Sequence, residues 1–250
     1  MQTEHIHVFI GGVHRSGTTL LGRLLGEHPE ASGFADTGVP ADEGQHLQSV
    51  FPPARAYGGP GRFAFADEAA LTETSALVAG AHDRLMADWA PHWDLSRRVL
   101  IEKSPPNLLR FRFLQAVFPG AHLVAMLRHP LAVAYATQKW SKTSIPSLLE
   151  HWLIAYERFR RDTPLLKHVL EVRYEDLVAD ANATVGSLET AIGLSPRAAS
   201  DSIEPGSNAR YFARWRAESG RALTGLRHRR AARRLEDRAN AFGYSLSEPG

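Results

Sequence analysis

The sequence predicts an α/β fold of three layers, with a central parallel sheet flanked by helices. Three observations predict it. A strand-like run at residues 5–12 (HIHVFIGG) passes through a glycine turn directly into a leucine-striped helix. Apolar strand-like runs then alternate with helical patterns as far as residue 192, which implies parallel strands joined by right-handed crossovers. The 250 residues, 44% hydrophobic and 22% charged, suit one domain with a sizeable core.

In chain order, helix 18–27 carries Leu20, Leu21, Leu24 and Leu25 as a stripe and is closed by Gly26 and His28-Pro29. Residues 30–61 change texture to Gly, Pro and Asp, punctuated by Phe51-Pro52-Pro53 and Gly58-Gly59-Pro60-Gly61. Segments of this length are functional lids or disordered stretches. Phe51, Tyr57, Phe63 and Phe65 favour an ordered substrate lid over 30–65. Residues 67–89 have helical spacing, with Leu71, Leu77, Val78, Leu85 and Met86 facing inward. A strand at 99–101 ends at Glu102-Lys103-Ser104-Pro105, and a helix at 107–117 is stopped by Pro119-Gly120. Strand 122–127 precedes helices at 131–139 and 147–161, a strand at 168–172 and a helix at 183–192. Residues 194–222 read as loop with short helices, and 227–242 as a terminal helix. No repeat or boundary interrupts the pattern. Residues 1–250 are expected to form a single domain with a basic segment at 205–250.

The formal net charge is only +2, but between Arg210 and Arg238 ten arginines stand against three acids. Such a cluster suits polyanions or, equally, a solvated helix face. It lacks interleaved stacking aromatics beyond Tyr211, Phe212 and Trp215, so nucleic acid is not expected as a partner. The absence of cysteine excludes disulfides, cysteine-based zinc sites and thiol catalysis, and fits a reducing compartment. No window approaches 18 consecutive apolar residues, and the first strand begins too near Met1 for a secretory leader. A cytoplasmic protein with no membrane association is the expectation.

Residues Gly12 to Thr19 (GVHRSGTT) lie where the first strand meets its helix. Glycines there let backbone N–H groups turn toward an anion, the helix N-terminus adds partial positive charge, and Thr18 and Thr19 add hydroxyl donors. Against the nucleoside triphosphate pattern G-x-x-x-x-G-K-[ST], Gly12, Gly17 and Thr19 fit, but Thr18 occupies the lysine position. The available cation is Arg15, inside the loop. The strand 122–127 leads into Arg128-His129 and offers no aspartate for magnesium. These residues ask for a P-loop-like anion site built from backbone and cations, with no metal.

The residues resemble a known family. Gly-x-x-Arg-Ser-Gly-Thr-Thr-Leu-Leu looks like the 5′-phosphosulfate loop of sulfotransferases that use 3′-phosphoadenosine 5′-phosphosulfate (PAPS), in the form of tyrosylprotein and many bacterial members. The likeness continues through Glu102-Lys103-Ser104-Pro105, Leu127-Arg128-His129-Pro130 and Val172-Arg173-Tyr174-Glu175-Asp176-Leu177, in order and across about residues 6–195. One departure is His14, where the family commonly has proline before the arginine.

The resemblance implies a co-substrate, PAPS, with two anionic ends. Arg15, Ser16, Gly17, Thr18 and Thr19 would hold the 5′ end, and Arg128 the 3′-phosphate, which a guanidinium binds bidentately. A serine that relatives place eight residues after this arginine is here Ala136, so Thr137, Lys139, Lys142, Arg214 or Arg221 must compensate. Tyr174 would pack against adenine. Lys103, with Arg15, would stabilise the transferred group and the leaving oxygen. A hydroxyl acceptor also needs a general base. The glutamate of relatives falls 21 positions after Arg15, at Asp36; Glu43 in the same loop is the equal candidate, with His46 behind.

The implied activity is sulfuryl transfer to a hydroxyl of a small-molecule or carbohydrate acceptor. Its pocket is expected between the 30–65 segment and the helices near Trp140 and Trp152, with Trp89, Trp93 and Trp215 as further stacking faces. The competing readings are a P-loop kinase or NTPase, which needs the missing lysine, and a noncatalytic nucleotide-binding module.

Overall fold

The computed structural model describes residues 5–198 and 208–249. Its elements run β1 (Ile6–Gly12), α1 (Thr18–Gly26), β2 (Ala31–Gly33), α2 (Ala81–Trp89), β3 (Val99–Lys103), α3 (Phe111–Val117), β4 (His122–Leu127), α4 (Pro130–Ser141), α5 (Ile145–Asp162), β5 (Val169–Arg173), α6 (Tyr174–Ala179), α7 (Ala181–Ala191), α8 (Ala209–Ser219) and α9 (Ala222–Asn240). The five strands form one sheet in the order β2-β3-β1-β4-β5. Every pairing is parallel.

Alternation along the strands builds the three layers. On β1, Val8 and Ile10 pack with Leu21, Leu24 and Leu25 of α1 and Val185 and Leu188 of α7. Phe9 points to the other face, into a larger core with Trp89, Leu149, Trp152 and Phe159. Burying one such side chain contributes roughly 1.5–3 kcal/mol, so the sheet register is fixed from both faces. Capping sets helix starts: the His129 ring accepts from Leu131 N at 3.2 Å ahead of α4, and Asp180 accepts from Ala183 N at 2.9 Å ahead of α7.

The strand order places the site. From β1 the chain leaves toward β2 on one side of the sheet, whereas from β4 it leaves toward β5 on the other. The crevice beyond the carboxyl ends of β1 and β4, which pair through Gly12 and Met126, is therefore the switch point where α/β sheets bind ligands. The loop from Val13 to Gly17 and Arg128 both emerge there.

Beyond the helix expected at 107–117, which begins only at Phe111 after a 3-10 turn at Pro105–Leu109, and α6, which was not expected, three elements differ from expectation. The segment 30–65 opens with the edge strand β2, whose Ala-Ser-Gly sequence is too short and small for any periodicity to register. The expected helix 67–89 is helical only over α2; before it come 3-10 turns at Asp67–Ala69 and Ala76–Val78. Between those turns Ser75 Oγ accepts from Thr72 N at 3.0 Å, a local bond that competes with helix. Third, α8 is a full helix of 11 residues in the region read as loop with short helices; positions 199–207 of that region lie outside the described residues. Among the described residues no helix is long and apolar enough to cross a membrane.

Candidate active site

The loop after β1 is held in an unusual backbone shape. Arg15 has φ 72 and Gly17 φ 111, so two left-handed residues bracket Ser16. The Gly17 conformation is open only to glycine; an added Cβ would also lie 2.7 Å from the Tyr174 ring and 2.8 Å from Met126 Cε. A left-handed arginine costs free energy and persists only where the surroundings impose it. Here the Arg15 carbonyl accepts from Arg128 Nη1 at 3.1 Å, and its guanidinium lies 4.7 Å from the centroid of the Trp140 ring. The bend aims the loop at the N-terminus of α1, a ready anion cradle.

Arg128 is fixed on several sides. Its guanidinium stacks on Tyr174 at 4.0 Å, and Nε donates to Asn208 Oδ1 at 2.9 Å. Asn208 in turn donates to Glu175 Oε1 at 2.6 Å, which also accepts from His129 N at 3.0 Å. Burial lowers the Arg128 pKa from its ordinary value. Arg128, Tyr174 and the loop after β1 thus meet at one edge of the crevice.

Lys103 ends β3 on the opposite edge. Its ammonium donates to Ala41 O at 2.7 Å and Thr19 Oγ1 at 3.3 Å, and lies 3.5 Å from Glu43 Oε1. Burial pulls the Lys103 pKa down, opposed by Glu43 and Glu102. Burial pushes Glu43 above the usual carboxylate range, opposed by Lys103 and by Gln45. Gln45 Nε2 donates to Glu43 Oε2 at 2.5 Å, and the His46 ring is 3.9 Å from that oxygen.

The loop carrying Glu43 is pinned from behind. Gln45 N donates to Ser104 Oγ at 2.9 Å, and Trp89 Nε1 donates to Gly44 O at 3.0 Å. Gly44 sits so close to Glu102 that an added Cβ would approach its carboxylate to 2.5 Å. Glu102, buried and pushed up to about 7 by that burial, accepts from Ser104 Oγ and Asn107 Nδ2 at 2.5 Å each. These partners orient Glu43 without touching the cavity themselves.

The resulting cavity of about 240 Å³ is lined by His14, Arg15, Gly17, Thr18, Thr19, Glu43, Pro105, Arg128 and Trp140 among others. Beyond Lys103 lies a neighbouring cavity of about 270 Å³, walled by Gly22, Gly26, Gly33, Phe34 and Asp42. His14 is deeply buried and its ring held down to about 3 by burial, so it is neutral near pH 7. Among the described residues no three histidine or acidic side chains converge as a metal site.

The candidates named from sequence therefore divide. Arg15, Thr18, Thr19, Arg128, Tyr174, Lys103 and Glu43 surround one crevice. Asp36 is exposed, has φ 53 and lines neither cavity. Asp42, not a candidate from sequence, walls the neighbouring cavity and accepts from Thr37 N and Oγ1 at 2.8 and 2.6 Å, bonds that hold its carboxyl below the usual range. Ala136 is buried, while the adjacent Thr137 donates to the His14 carbonyl at 3.3 Å. Arg214 and Arg221 line a different groove. Of the tryptophans, Trp89, Trp93, Trp152 and Trp215 are core; Trp140, 61% exposed, is the one that faces the cavity. Sequence reasoning missed Asn208 and Gln45. Neither carries a motif signal, since each acts through a contact, Asn208 with a residue 80 positions away.

A protein-tyrosine sulfotransferase 2 from Gallus gallus is 31% identical over 122 residues, 48% of this chain and 30% of that protein. The chain thus matches under a third of that relative's length. In fold it is similar to the sulfotransferase domain of a Synechococcus olefin synthase, with TM-score 0.57, 18% identity and 98% and 96% of the two chains covered. It is also similar to sulfotransferase STF1 of Mycobacterium tuberculosis, with TM-score 0.54, 15% identity and 85% and 72% covered. A family model described as the sulfotransferase family matches residues 7–197. That span carries the loop from Gly12 to Thr19, Glu43, Lys103, Arg128 and Tyr174, and by it the chain belongs to the sulfotransferase family.

Proposed function

We propose that this chain moves the sulfuryl group of PAPS onto a hydroxyl of a small-molecule or carbohydrate acceptor, with Glu43 as general base. The observation that carries the reading is the position of Lys103. One buried ammonium touches Thr19 of the phosphate loop and lies beside Glu43, so the donor cradle and the base share a single cation.

PAPS enters as substrate. Its 5′-phosphosulfate fits the N-terminus of α1 and the loop Arg15 to Thr19, and its 3′-phosphate fits Arg128. Tyr174, already carrying Arg128 on its ring, offers a face for adenine. In the transfer the acceptor oxygen bonds to sulfur as the bond from sulfur to the phosphate oxygen breaks. The acceptor proton passes to Glu43, and the electron pair of the broken bond stays on the departing phosphate. Products are the sulfate ester and adenosine 3′,5′-bisphosphate. As in phosphoryl transfer, alignment and charge stabilisation are the protein's main contributions. Lys103 and Arg15 supply the charge at the leaving oxygen.

Glu43 is preferred to Asp36 as base because its burial raises its proton affinity and its oxygens face Lys103, whereas Asp36 is exposed. The residues of 30–65 that follow it, with Phe51 and Phe63 buried and Phe65 exposed, make that segment the proposed acceptor lid of a single-domain enzyme. The test is transfer of labelled sulfate from PAPS to a panel of hydroxyl acceptors, with bisphosphate release as the second readout. Magnesium-dependent ATP turnover without sulfate transfer would instead identify a kinase or NTPase.

A further inference from the structure

The arginines of α8 and α9 serve two different ends. Arg234 donates to Glu150 at 2.7 Å, and Arg238 to Glu150 and Glu157 at 2.6 and 2.7 Å, which fastens α9 to α5. Arg221, Arg227 and Arg230 have no such partner among the described residues. All three line one groove of about 700 Å³ between the α4–α5 junction and the pair α8–α9. Arg214 and Arg234 line it too. Among the described residues its one acidic side chain, Glu218, already accepts from Tyr135 OH at 2.8 Å and Arg214 Nε at 2.7 Å. With Arg214 held by Glu218 and Arg234 by Glu150, the charges of Arg221, Arg227 and Arg230 remain in excess and give a concave surface of net positive sign, which focuses potential and concentrates anions.

We infer that this groove is a binding site for an acidic carbohydrate, a glycan carrying carboxylate or sulfate groups. The inference rests on the transfer reaction proposed above and names the acceptor class. Guanidiniums bind carboxylate and sulfate in the same bidentate fashion. Arg227, Arg230 and Arg234 follow each other at spacings of three and four, so they form one row along α9. A row of fixed charges matches a chain whose anionic groups repeat.

Two features separate this ligand from other polyanions. No aromatic side chain other than the His228 ring lines the groove, and that ring is stacked on Trp215, so bases find no platform. Among the described residues its apolar lining is confined to Ile145, Pro146 and Ala231, too little to anchor the side chains of a peptide. Position supports an acceptor role as well. Gln138 lines the groove and Trp140 lines the transfer cavity, so the two lie on different sides of the last turn of α4. On this inference a chain-like acceptor spans the last turn of α4 to present its hydroxyl in the transfer cavity.

The test is fluorescence anisotropy with a labelled heparin hexasaccharide on the full chain and on the double variant Arg227→Glu/Arg230→Glu. Binding weakens about tenfold or more in the variant, while its titration with adenosine 3′,5′-bisphosphate is unchanged and certifies the fold. The milder pair Arg227→Ala/Arg230→Ala shifts affinity in the same direction. Added salt weakens binding to the wild type, because exposed charges are screened. Equal affinity of wild type and variants for the hexasaccharide overturns the site. So does displacement of the probe by oligothymidylate or polyglutamate at lower concentration than by unlabelled hexasaccharide. The two readings fail separately: absent bisphosphate binding sinks the donor site, and groove-independent glycan binding sinks this one.

Discussion

The Lys103 ammonium lies 3.5 Å from Glu43 Oε1 and 3.3 Å from Thr19 Oγ1, so one side chain at the end of β3 joins the start of α1 to a buried carboxylate. Neither carboxylate nor ammonium is isolated by burial, since each moderates the desolvation of the other.

Replacing Glu43 separates binding from chemistry. Glu43→Gln keeps the size of the side chain and loses the proton acceptor, so turnover falls by roughly 10²–10⁴ with bisphosphate affinity retained. Asp36→Asn, at an exposed position, leaves turnover near the wild-type value. Steady-state kinetics with titration of each variant checks both; the opposite ranking would return the base to Asp36.

Activity also carries the signature of that carboxylate in its pH dependence. Burial raises Glu43 above the ordinary range, and a base works only when deprotonated. The rate at subsaturating acceptor therefore falls on the acid side with a midpoint above the usual carboxylate value, and Glu43→Gln abolishes this limb.

Lys103→Met removes the cation from the developing charge on the leaving oxygen. An effect of about 10²–10³ on kcat is expected, with a smaller change in donor affinity. A variant that lost donor binding and kept kcat would place Lys103 in ground-state binding alone.

Gly44→Ala tests the support behind Glu43. Its new Cβ would come within 2.5 Å of Glu102, so the loop must shift. Destabilisation of about 1–3 kcal/mol is expected in urea unfolding, together with lower turnover. Full stability would mean that the loop yields freely.

The legibility of the molecule in its sequence was uneven, for physical reasons. The loop after β1 was legible as an anion site because a strong strand meets a helix there, whereas Lys103 and Arg128 were named through the family resemblance and stand at the ends of β3 and β4, where parallel sheets carry ligands. The strand β2 was not, because Ala31-Ser32-Gly33 gains its conformation from pairing with β3 and has little propensity of its own. The base stayed open between Asp36 and Glu43 because spacing along a turn-rich loop says nothing about burial. Tryptophan count misled in the same way: Trp152 sits in the core, donating to the Arg128 carbonyl at 3.0 Å, and reaches the site through that backbone contact.

Fold stability has its own pH dependence. Burial holds His7 and His129 at about 4 and His14 and His151 at about 3, against an ordinary 6.5. The unfolded chain therefore takes up protons that the folded chain refuses, and stability falls as pH drops below 6.5. Glu102, raised to about 7, has the opposite sign and offsets part of this loss. Thermal melts at pH 7 and pH 5 check the balance, and a higher melting temperature at pH 5 would contradict it.

Calorimetric titration with adenosine 3′,5′-bisphosphate, beside ATP with magnesium, tests the donor site most directly. The account predicts micromolar binding of the bisphosphate to the wild type, lost in Arg128→Ala, and weak or absent binding of ATP. Tight ATP binding with no response to the bisphosphate would contradict it and turn the loop after β1 into that of a kinase.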